Sequence, residues 1–156
     1  MTQRVVPVSS EERADLLADP PRLYSRWRAL LAEHRHLHGP EAAALLGVPE
    51  AALLASATGK GNTPLAGSLT DILAPVASWG RVLLAARNAL GVHLNVMGRA
   101  HLELTAAEIV LHDEQHEIRL ATTGIARIDL FEENDAHGRT LSLNWFDSSD
   151  CATPFL

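Results

Sequence analysis

Hydrophobic residues change their spacing near the middle of the chain. Up to Ala77 they recur at helical intervals, and from Gly80 onward they fall in short runs or alternate with polar residues. Ser9, followed by Glu12 at capping-box distance, opens a first helix through Leu16 and Leu17. Asp19-Pro20-Pro21 interrupts it. A second helix then carries Leu23, Trp27, Leu30 and Leu31 on one face, with Arg22, Arg26 and Glu33 outside it. Gly39-Pro40 ends that element. The spacing predicts a short helix over Glu41–Leu46, stopped by Gly47, and another from Pro49 through Leu54. Thr58 to Pro64 reads as a linker. Ser68 to Ala77 reads as a last short helix, limited by Pro75.

The second part predicts strands over Arg81–Arg87, Val92–Met97, His101–Leu104, Ile109–His112, Glu117–Ala121, Ile125–Phe131 and Thr140–Phe146. Asn134 to Gly138 supplies Asn, Asp and Gly for a hairpin loop. In the last strand Leu141, Leu143 and Trp145 alternate with Ser142 and Asn144, the pattern of a half-buried sheet. Short helices followed by an antiparallel β-sheet meander give an α+β fold. The expected organisation is a single domain over residues 1–156, helical over 9–77 and sheet over 80–146.

Composition narrows the function. Aromatic residues make up 4% of the chain, so the core must be built from Leu, Val, Ile and Ala. A net charge of −6 argues against nucleic acid or an anionic membrane as a general partner. A single cysteine, Cys151, rules out an internal disulfide or a cysteine metal cluster and fits a reducing compartment. Signal-peptide and membrane-spanning patterns are lacking, which leads to the expectation of a soluble, cytoplasmic protein.

Eight histidines invite a metal reading. His34, His36 and His38 alternate just before Gly39, and alternate helical residues point too far apart to share one ion. A solvated helix end explains them better. His112 and His116 flank Asp113-Glu114-Gln115, which reads as a turn between strands and not as a zinc-protease helix. No nucleophilic triad is suggested, and no catalytic residue is assigned. Glu41–Leu54 has helix-turn-helix form, but its second helix offers Glu50, Ala51, Ala52 and Leu53, none suited to reading base edges.

The stretch from Trp79 to His93 is the most distinctive. Gly80-Arg81-Val82 leads an apolar run into Arg87-Asn88, and a second run carries Val92-His93. Upstream lie Arg26-Trp27-Arg28-Ala29-Leu30 and the segment Glu41 to Leu53. In this order the motifs resemble those of the HemS/ChuX-like hemin-transport and hemin-degrading factors, and match the N-terminal half of the two-repeat members. The resemblance implies a cytoplasmic haem-binding protein for hemin transport or utilisation in haem iron acquisition. A carrier role is favoured over degradation, with a homodimer rebuilding the two-half architecture.

The same resemblance implies haem (hemin) as cofactor, with His93 as an iron ligand and Arg119, in Glu117-Ile118-Arg119-Leu120, as a clamp on a propionate. Arg87 matches the family's Arg-Asn pair and is either a ligand contact or part of a hairpin. From the residues alone, His93 is equally a sheet histidine bonded to backbone, and Arg119 an exposed strand residue paired with Glu117 or Asp129. Two rival readings stand beside the haem carrier: a ligand-free interaction domain of the same fold, and a DNA-binding regulator using Glu41–Leu54.

Overall fold

A computed structural model describes residues 8–34, 37–88, 91–98, 101–135, 138–147 and 152–155, with backbone alone at 77, 86–88, 91, 92, 134, 135, 138 and 152–155. The chain forms two compact units, Met1–Asn62 and Thr63–Leu156.

The first unit is helical. α1 (Ser10–Ala18) starts where the Ser9 hydroxyl accepts from the Glu12 N–H at 3.1 Å. α2 (Pro20–Glu33) starts where the Asp19 carboxylate accepts from the Arg22 N–H, with prolines in its first turn. α3 (Gly39–Leu46) ends at Gly47, whose φ of 66° is the left-handed cap that glycine adopts without strain. There the Gly47 and Val48 N–H groups donate to Ala44 and Ala43 in a Schellman arrangement. α4 (Glu50–Ser56) follows after Pro49. Leu16, Leu23, Trp27, Ala42, Ala43, Leu46, Ala51, Leu53 and Leu54 are all buried. One face of the helix in the recognition position, α4, is buried, and its other positions, Glu50, Ala52 and Ala55, are of residue types unsuited to reading base edges.

The second unit carries the sheets. β1 (Asn62–Pro64) starts at the last residue of the first unit and runs into the second, and α5 (Leu69–Leu73) is capped by Ser68, whose hydroxyl accepts from Asp71 N–H. A 3-10 turn over Ala74–Ser78 begins where Pro75 prevents the α-helix from continuing. Eight strands follow: β2 (Val82–Asn88), β3 (Gly91–Met97), β4 (His101–Leu104), β5 (Glu108–His112), β6 (Glu117–Ala121), β7 (Arg127–Asp135), β8 (Gly138–Phe146) and β9 (Ala152–Phe155). The fold is α+β, as the two hydrophobic periods predict.

The strands do not form one meander. A six-stranded sheet runs β1-β7-β8-β9-β2-β3, and a separate three-stranded sheet runs β4-β5-β6. β9 lies between β8 and β2, antiparallel to both. β1 sits in the segment expected to be a linker. Three residues, one of them proline, are too short for an alternation to show, and an edge position tolerates the missing donor. The two sheets share one core. Val82, Leu84, Met97, Ile128, Leu143 and Trp145 from the large sheet meet Ile109 and Leu111 from the small one. Leu73 and Val76 close one end. The opposite face of the small sheet carries His101, Glu103, Glu108, His112, Glu117 and Arg119.

Asp113, at the end of β5, ties two connections together. Its carboxylate accepts from the Gly98 N–H at 2.8 Å, from the Gln115 and His116 N–H groups at 2.9 and 2.7 Å, and meets the His116 ring at 3.1 Å. The Gly98 bond, then that from Gln115, hold its carboxyl well below the usual carboxylate range. A depressed folded-state pKa contributes stability above the unfolded value of about 4, and that contribution is lost as pH falls below it. Asp113→Ala is therefore expected to destabilise the chain more at pH 7 than at pH 3, read from urea melts at both. An equal effect at the two pH values would remove the ionised carboxylate from the explanation.

Candidate functional site

His93 lies on β3, at the edge of the six-stranded sheet, with Ala86 opposite it on β2. By strand alternation His93, Asn95 and Met97 share one face. Along that face burial rises from His93, exposed, through Asn95, half-buried, to Met97 in the core. The imidazole thus stands at the rim of the inner face, where the core no longer covers it. On the other face of the same strand Leu94 and Val96 are 61% and 50% exposed, which makes β3 an apolar edge.

Arg119 is placed differently. It lies on β6, an edge of the small sheet, opposite Val110. Its Nε donates to Glu117 at 2.8 Å and its Nη1 to Glu108 at 3.2 Å. The bond to Glu117, with that carboxylate's charge, and then Glu108 raise the guanidinium pKa. Glu117 was one of the two partners expected from sequence; the other, Asp129, is buried and paired with Arg127 instead. His93 and Arg119 therefore stand on edge strands of two different sheets. The backbone of Arg87 pairs with Val92 in the β2–β3 hairpin, and its side chain lies outside the described residues, as do His36 and Cys151. His34 caps the C-terminus of α2 and His38 precedes α3, so two members of the alternating cluster sit at helix ends. His116 lies in the turn after β5, as its sequence context indicates.

Sequence reading did not find the cross-strand pairing of His101 with His112, nor Glu108 as a partner of Arg119. Both need the register of the small sheet, which no local signal supplies.

Two recesses open into this unit among the described residues. One, lined by Leu73, Val76, Trp79, Val82, Leu102, Leu111, Leu143 and Trp145, is wholly apolar and too narrow for a ligand. The other, of about 180 Å³, lies among Leu120, Gly124, Ile125, Trp145, Phe146 and Asp147. Enclosed small-molecule sites usually measure about 300–1,000 Å³. A large flat ligand therefore does not fit inside either one.

A model of the haemin-degrading HemS.ChuX domain matches residues 47–152, more than half of the chain. The chain belongs to the HemS/ChuX family. Comparison with curated proteins gives no significant match. Among solved structures, this HemS/ChuX chain is similar to holo-PhuS, a heme-binding protein from Pseudomonas aeruginosa. The identity is 27% and the TM-score 0.79, covering 88% of this chain and 40% of that one. It is also similar to the heme degrading enzyme ChuS of Escherichia coli O157:H7, at 23% identity and TM-score 0.78, covering 88% and 41% of the two chains. The heme binding protein ChuX has the same fold at 12% identity and TM-score 0.64, covering 83% of this chain and 81% of that one. The chain thus spans about two fifths of PhuS and ChuS but most of the length of ChuX.

Tested against haem, the described residues fit in part. His93 offers an exposed imidazole on a regular strand, the donor type that haem iron takes. Arg119 does not offer a free fork, because two carboxylates already hold it.

Proposed function

We propose that this chain binds haem for hemin transport or utilisation, working in the cytoplasm as a carrier. The observation that carries the reading is family membership over residues 47–152, joined to 27% identity with a heme-binding protein. When bound, haem would supply an iron that takes an imidazole nitrogen as a ligand. His93 is the proposed ligand. Leu94 and Val96 expose apolar surface on the opposite face of the same strand. Neither of the two recesses above is large enough to enclose a tetrapyrrole, and a second surface would complete a cleft for it. A second copy of the chain, or the remaining length of a two-repeat protein, would provide it. Among the described residues no helix is long and apolar enough to cross a membrane.

Arg119 is proposed to hold a propionate by exchanging Glu117 or Glu108 for it. Such an exchange at an exposed site gains little, so Arg119→Ala is expected to weaken hemin by about fivefold at most. The test of the reading is a hemin titration of the purified chain, followed by the Soret band and by sedimentation. A saturable one-site shift supports it, and co-sedimentation as a dimer supports the completed cleft. Absence of a saturable shift at micromolar hemin would overturn the carrier and favour the ligand-free interaction domain, for which the satisfied Arg119 is the specific observation.

A further inference from the structure

The outer face of the small sheet brings two histidines and a glutamate together. Register places His101 on β4 directly opposite His112 on β5, and their rings stack with centroids 5.4 Å apart at 24°. Glu103, two residues on from His101, lies on the same face. Its Oε1 lies 3.4 Å from His112 Nε2. That separation is long for a hydrogen bond, whose usual N···O distance is about 2.9–3.0 Å. It matches the bite of a tetrahedral metal: donors each about 2.0–2.2 Å from the ion stand about 3.4 Å apart.

From this geometry we infer that His101, His112 and Glu103 form a site for a divalent transition cation of the zinc class, with water completing the coordination. His112 and Glu103 are the pre-set pair. As they stand, no three His, Cys, Asp or Glu side chains among the described residues are grouped so that they could hold a metal ion, so the site forms only when the His101 ring turns toward the other two. His101 is exposed, and rotamer changes of exposed side chains are fast. The surrounding charge favours a cation. Glu117 faces His112 across the β5–β6 ladder, and Glu108 lies further along, with Arg119 the one cation bonded to both carboxylates. Imidazole with carboxylate is also the donor set that zinc accepts, whereas calcium and magnesium prefer oxygen alone. The site is on the face of the small sheet opposite the shared core, and it does not depend on the haem reading.

The test is Zn²⁺ calorimetry on the untagged full chain carrying His34→Ala, His36→Ala and His38→Ala, which silences the other histidine cluster. One Zn²⁺ per chain is expected to bind. Loss of an outer-shell partner alone costs a metal site about 10- to 100-fold in affinity, so His112→Ala and His101→Ala should each cost at least about tenfold. Glu103→Gln should also weaken binding, and His116→Ala should leave it unchanged. Because these side chains are at least partly exposed, the variants retain the fold, checked by circular dichroism. Zn²⁺ should also raise the melting temperature of the parent but not of His112→Ala. Absence of binding, binding that survives both histidine changes, or an equal loss in His116→Ala would overturn the site.

Discussion

Hemin bound to His93→Ala is expected to show a displaced Soret band and an affinity lower by about tenfold or more, a loss of about 1.4 kcal/mol at the least. The expectation follows from position as well as residue type. A neutral imidazole on a hydrogen-bonded strand pays little ordering cost on ligation, because β2 already fixes the backbone on which it stands. Its exposure leaves the iron free to approach without displacing core side chains. The substitution should not unfold the chain, since the ring contributes nothing to the packed part of that face. Added imidazole should return the Soret band toward its parental position, which a purely structural effect would not do. An unchanged spectrum and affinity would place haem elsewhere and leave His93 as an edge-strand residue.

Trp145→Ala is expected to lower stability by about 3–5 kcal/mol, with a fall in melting temperature of roughly 10 °C or more. Trp145 is 4% exposed and belongs to the core that joins the two sheets. It lines the apolar recess beside Val82 and Leu143 and also the one beside Leu120 and Ile125. One indole thus borders both of the recesses described above, and its removal leaves a cavity in the core. Hemin affinity should fall in parallel, because Met97, the buried end of the His93 face, rests in the same core. A loss below about 1 kcal/mol in urea melts would mean the site collapses freely.

Local features were legible in the sequence and long-range pairing was not. Ser9, Asp19, Gly47 and Ser68 act within a turn of their own positions and mark observed helix ends, whereas the helix expected to reach Ala77 leaves α geometry after Leu73 and Gly39-Pro40 opens α3. The change from helical to strand spacing near Gly80 likewise gave the α+β class. Sheet order depends on contacts between distant segments: β9 carries a proline and follows residues with no alternation, yet it pairs on both sides. At the site, a histidine on a strand after Arg87-Asn88 was visible. Its exposure was not, because His93 shares its face with buried Met97, and only the extent of the opposing sheet decides where cover stops. The Arg119–Glu117 pair was within reach, being two residues apart on one strand face, whereas Glu108 and the His101–His112 pair required register.

The seating of β9 also has a consequence for biosynthesis. The ladders on either side of it join residue 155 to residues 84 and 143, so the large sheet lacks the strand between β8 and β2 until residues 152–155 have been made. Before then the nascent chain holds two hairpins, β2–β3 and β7–β8, each presenting an unsatisfied backbone edge. Such edges recruit one another or neighbouring chains. They close only when β9 pairs with β8 and β2.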